Sequence, residues 1–100
     1  MIRHVVMWKI KEYALDMNKH EIMSRIKELL LPLKDKISVV RDIEVGESKT
    51  QGDMHYDMAL IVTVNDLSDL PKYTNHPEHL KVLEFISQVR EERVTADIEI

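Results

Sequence analysis

Two alternating stretches constrain this chain more than anything else in it. In residues 55–64, Tyr56, Met58, Leu60, Val62 and Val64 share one face, and Asp57, Ala59, Ile61 and Thr63 share the other. In residues 2–10, Ile2, His4, Val6, Trp8 and Ile10 oppose Arg3, Val5, Met7 and Lys9. The period of two makes both stretches strands, and each carries apolar groups on both faces. A strand with two apolar faces needs cover on both sides. The fold must therefore contain a sheet with something packed against each of its surfaces.

The other elements come in chain order. Residues 11–17 are a connection, with Asp16 or Asn18 available to cap the next helix. Residues 18–34 read as that helix, with Ile22, Ile26, Leu29, Leu30 and Leu33 on one side, kinked or ended near Leu31 because Pro32 cannot sit in a helix interior. A second strand spans 38–46, where Gly46 marks a bulge or the strand end, and a polar hairpin loop covers 48–54. After the strand at 55–64 come helical segments at 66–73 and 77–91. Leu80, Leu83, Ile86 and Val89, with Val82 nearby, make the second of these amphipathic. A strand at 93–100 closes the chain, with the charges of 87–93 read as a solvated helix end.

The order βαββαβ predicts an α+β, ferredoxin-like fold: a four-stranded antiparallel sheet with helices on one face. The other face carries Val5, Met7, Ala59 and Ile61, an apolar patch that predicts an interface. A homodimer packing its sheets face to face satisfies it with one self-complementary surface.

Composition narrows the function classes. One hundred residues make a single domain, 1–100, with a modest core that association would supplement. The net charge is −4 and the basic residues are scattered, which argues against nucleic-acid binding. With no cysteine there is no disulfide, thiolate metal site or thiol nucleophile, and a cytoplasmic location is expected. Charged residues interrupt the first apolar stretch, so no signal peptide is expected, and no run has transmembrane length.

The densest chemistry lies in Tyr73-Thr74-Asn75-His76-Pro77-Glu78-His79. Pro77 starts a helix, His76 or Asn75 caps it, and Glu78 complements its positive end. His79 then sits one turn in, where the helix end favours a neutral imidazole able to accept a proton. His79 is the candidate general base, and Tyr73 the candidate donor to a carbonyl or enolate oxygen. The bland readings are a hydrogen-bonded pocket histidine and a packed aromatic. His76 reads as a structural cap or a second polar group, and His4 as a satisfied core histidine or a cavity group. His76, His79 and Glu78 lack a distant third ligand, so no metal site is predicted. His20 and His55 read as surface residues.

Two segments carry a resemblance to a known family: Ile2-Arg3-His4-Val5-Val6-Met7-Trp8-Lys9-Ile10-Lys11 and Tyr73 through His79, with its His-Pro-x-His turn after a tyrosine. Over nearly its whole length the chain resembles the stress-responsive α/β-barrel (Dabb) domain. The resemblance implies a dimeric α+β barrel. The family includes the plant polyketide cyclase that makes olivetolic acid, in which a Tyr and a His close a ring by aldol-type chemistry without a cofactor. Those residues fall on Tyr73 and His79, and two further histidines of that enzyme on His4 and His76. The pocket it implies would be lined by Trp8, Ile22 and Ile26. The last two are aliphatic where the cyclase has aromatics, and Trp8 is large enough to fill much of the space. The expectation is a homodimer that binds a small molecule between sheet and helices, with cyclase- or isomerase-like acid/base chemistry. The alternative is a non-catalytic, stress-related homo-oligomer with a filled cavity.

Overall fold

The computed structural model describes residues 1–100. Its four-stranded sheet is built from β1 (Ile2–Ile10), β4 (Asp42–Glu47), β5 (Met58–Val64) and β6 (Arg90–Glu99), in the spatial order β4-β5-β1-β6. Every neighbouring pair is antiparallel. A separate two-residue ladder joins β2 (Tyr13–Ala14) to β3 (Met17–Asn18). The helices are α1 (Lys19–Leu30), α2 (Leu33–Lys36), α3 (Leu70–Thr74, preceded by a 3₁₀ turn at Leu67–Asp69) and α4 (Pro77–Val89). This is the predicted ferredoxin-like α+β fold.

The start and stop signals act as expected. Asn18 caps α1: its Oδ1 accepts the Glu21 N–H at 2.9 Å, and the Glu21 carboxylate accepts the Asn18 N–H at 3.1 Å. Pro32 divides α1 from α2. The inner faces of β1 and β5 are buried beneath Ile22, Ile26 and Leu30 of α1 and Val82, Ile86 and Val89 of α4.

Several boundaries differ from the periodicity. β4 begins at Asp42, not at 38, because the chain is still turning: the Val40 N–H bonds to the Ile37 carbonyl, and sheet pairing starts with the Arg41 N–H on the Thr63 carbonyl. β5 begins at Met58, not at 55. Asp57 bridges to β1 instead, with its N–H on the Trp8 carbonyl at 2.8 Å and its carboxylate accepting the Ile10 N–H at 2.7 Å. Leu80 and Leu83 are exposed, and Val82 takes the core position beside Ile86 and Val89. α4 stops at Val89 and β6 starts at the next residue, so residues 90–93 are strand and not a solvated helix end.

The outer face of the sheet is more apolar than β1 and β5 alone predict. Register places Val94 beside Met7, Ala96 beside Val5 and Ile98 beside Arg3, adding three β6 side chains to the patch of Val5, Met7, Ala59 and Ile61. None of residues 91–100 is buried in the single chain. No helix is long and apolar enough to cross a membrane.

Candidate active site

The ends of α3 and α4 bring the 73–79 segment onto the sheet. Asn75 ends α3 with its N–H on the Pro71 carbonyl, and Pro77 opens α4 two residues later. His76 is the N-cap: its Nδ1 accepts the Glu78 N–H at 3.1 Å. This tight joint turns Tyr73 inward, where it is fully buried, and sets His79 beside it with ring centroids 4.5 Å apart. The His4 ring of β1 meets Tyr73 edge-on at 6.2 Å.

His79 Nδ1 lies 2.8 Å from the Thr74 carbonyl oxygen. A carbonyl only accepts, so Nδ1 carries the proton and Nε2 is the free nitrogen of the neutral ring. Burial lowers the pKa of His79 below the ordinary histidine range. The bond to Thr74 opposes this shift, and the nearby His4, Arg93 and His76 reinforce it. The neutral state is thus the one expected from the sequence, but desolvation is its leading cause. Burial likewise raises the Tyr73 phenol far above its ordinary value, against the charge of Arg93, so Tyr73 stays a donor.

His4 is paired rather than idle. Register puts it opposite Asp97 on β6, and its Nδ1–H donates to the Asp97 carboxylate at 2.5 Å. Trp8 is opposite Arg93. Together His4, Trp8, Tyr73, His79, Leu83 and Arg93 line much of an interior cavity of about 20 Å³, room for about one water molecule. Two buried donors in this group, the Trp8 indole N–H and the Tyr73 hydroxyl, have no hydrogen-bond partner within the protein.

Of the sequence-predicted residues, the structure brings His4, Trp8, Tyr73 and His79 together. His76 stands behind them as the cap. Ile22 and Ile26 are fully buried in the core and do not line the cavity; Leu30 is the α1 residue that does. Arg93 and Asp97 escaped the sequence reading. Their only signal was period two: Arg93, Thr95 and Asp97 alternate with Val94, Ala96 and Ile98, which puts the polar set inside. No group of three or more His, Cys, Asp or Glu side chains is placed to hold a metal ion.

The largest hollow lies elsewhere. A groove of about 670 Å³ runs over the outer sheet face beneath the 48–57 loop, past Met7, Ala59 and Ile61. It belongs to the apolar face and holds none of the site residues.

Comparison with known proteins agrees with this architecture. A dimeric protein of unknown function with a ferredoxin-like fold from Bacteroides fragilis is similar at 30% identity, with a TM-score of 0.82 over 99% of this chain and 95% of that one. A Dabb family protein from Mesorhizobium loti is 20% identical, with a TM-score of 0.71 over 99% and 95% of the two chains. A hydroxynitrile lyase from Passiflora edulis shares the fold at 14% identity, with a TM-score of 0.81 over 99% and 92%. No curated protein matches. The model of the stress responsive A/B barrel domain matches residues 2–100, and the chain belongs to that family, Dabb.

Proposed function

We propose that this protein is a homodimer, joined through its outer sheet faces, that binds a small carbonyl compound at the interior site and performs acid/base chemistry on it with its own side chains. His79 Nε2 takes a proton from the carbon next to the carbonyl. Tyr73 donates its O–H to the oxygen on which charge develops. His4, fixed by Asp97, braces the opposite wall.

The observation that carries this reading is the pair of unsatisfied donors. Native interiors pair nearly all their buried polar groups. Here the Tyr73 hydroxyl and the Trp8 indole N–H are both buried with no partner among the protein's own groups, beside an imidazole held neutral with one nitrogen free. An acceptor oxygen completes the set. A small hollow suits the reacting end of a ligand, whose remainder leaves between α4 and β6, past the partly exposed Leu83. The hydroxynitrile lyase that shares the fold makes hydroxynitriles reasonable probes beside aldehydes and ketones.

One observation favours a second reading. The cavity is about 20 Å³, and the large Trp8 side chain, only 3% exposed, forms part of its wall. On this reading the hollow holds a water, the histidines are structural, and the dimer serves a non-catalytic, stress-related role.

Turnover and binding of small aldehydes, ketones and hydroxynitriles, compared between the native protein and His79→Ala, separate the two. Proton-transfer catalysis by one side chain contributes about 10²–10⁴-fold, so the first reading expects a loss of that order with the dimer intact. Equal behaviour of native and variant protein toward every compound that binds contradicts it.

A further inference from the structure

We infer that the ligand of this site carries a carboxylate, and that Arg93 is the residue that selects it: the site is built for a small oxo acid, with its carboxylate on Arg93 and its carbonyl oxygen on Tyr73 and Trp8. This rests on the interior site proposed above and specifies its ligand.

The inference comes from the balance of donors and acceptors around the cavity. Three side chains there offer donors: the Arg93 guanidinium and the Trp8 indole N–H, which can only donate, and the Tyr73 hydroxyl. No carboxylate lines the cavity with them. Of the acidic residues on β6, Glu92 pairs with Lys9 at 3.3 Å and Asp97 takes the His4 imidazole, and Glu91 and Glu99 stand outside the cavity lining. Arg93 forms no ion pair, yet its charge is felt at both Tyr73 and His79.

Position divides the work among these donors. Arg93 lies on an exposed strand at the rim, while Trp8 and Tyr73 are buried within. An acceptor with one charged and one neutral oxygen group answers both, the charged group at the rim and the neutral one within. A guanidinium binds a carboxylate through two parallel N–H bonds, stronger and more directional than bonds between neutral groups. A phosphate held on Arg93 at the rim has no separate carbonyl oxygen to offer the buried donors. The carbonyl end then lies beside His79, where the proposed proton transfer takes place.

Trp8 is the only tryptophan in the chain, so its indole N–H gives a single resonance that reports on the cavity. The test is a ¹H–¹⁵N titration of that resonance with four probes: pyruvate, pyruvamide, acetoacetate and acetoacetamide. Inorganic phosphate serves as a further anion. The expected result is that each acid binds about tenfold or more tightly than its amide, a preference of the size that a charge-assisted pair supplies. Arg93→Gln should bring the ratio close to one while the amides still move Trp8, and Arg93→Lys should restore part of it. Because Arg93 is exposed, these changes leave the core untouched.

Three outcomes overturn the inference: acids and amides binding alike, a ratio unchanged in Arg93→Gln, or phosphate moving Trp8 as strongly as the acids. If acids and amides bind alike and His79→Ala abolishes the binding of both, the carboxylate assignment alone falls and the proposed function stands. If no carbonyl compound of either charge moves Trp8, both fall together.

Discussion

Tyr73 has its phenol hydroxyl in the interior with no partner, a placement that stability alone does not favour. Leaving a buried hydroxyl unpaired costs about 1–3 kcal/mol. Tyr73→Phe should therefore leave the fold as stable as before or raise its stability by about 1 kcal/mol, measured by urea unfolding, while it lowers ligand binding or turnover. A loss of stability with unchanged binding would make the residue a packing group. His79 gives a pH signature. Its pKa in the folded protein is depressed by burial, while in the unfolded chain it is about 6.5. Below about 6.5 the unfolded state therefore binds more protons, so stability should fall as pH falls through that window and level off below the folded value. Above it the ring is neutral in both states and adds no slope. His79→Asn should give a shallower acid slope than the native protein in unfolding midpoints measured between pH 7 and pH 5.

Single elements show where local sequence suffices and where it does not. The α1 cap was legible because Asn18 and Glu21 interact within one turn, and the break at Pro32 because proline lacks the N–H that a helix needs. The start of α4 was legible for the same reason: His76, Pro77 and Glu78 are adjacent in the chain. The β2–β3 hairpin was not. Its two turn residues, Leu15 and Asp16, adopt positive φ of 50° and 62°, a conformation usually signalled by Asn or Gly. Leucine gives no such cue and is strained there, by about 1–2 kcal/mol. Because Leu15 is half exposed, Leu15→Asn should stabilise the protein by about 0.5–1 kcal/mol in thermal or urea unfolding. The starts of β4 and β5 were misplaced for a related reason. Val39, Val40 and Tyr56 have strand propensity, but the bonds made by Val40 and by the Asp57 carboxylate decide where the ladder begins.

At the scale of the molecule, the fold was readable because helix and strand periods differ and their order allows few topologies. The site was only half readable. Tyr73 and His79 lie six residues apart, but Arg93 and Asp97 reach it only through the β1–β6 register, a long-range property that local pattern does not encode. The same register completes the apolar outer face by aligning Val94 and Ala96 with Met7 and Val5. Apolar patches of this kind mark interfaces, and the Bacteroides fragilis relative is a dimer. Ile61→Glu places a charge near the middle of that face. It should shift sedimentation from dimer to monomer at micromolar concentration. An Ile61→Glu protein that remains fully dimeric would move the interface elsewhere.

The most direct test of the central claim, that His79 and Tyr73 form a ligand site and not merely packing, is a histidine-resolved ¹H–¹⁵N and ¹H–¹³C titration against a library of small carbonyl compounds, repeated on His79→Ala. The account predicts that one class of compound moves the His4 and His79 resonances together, with His79 neutral and protonated on Nδ1 at pH 7, and that the His4 response disappears in the variant. Histidine resonances that stay fixed against every compound while the dimer remains intact would contradict it and leave Tyr73 and His79 with structural roles alone.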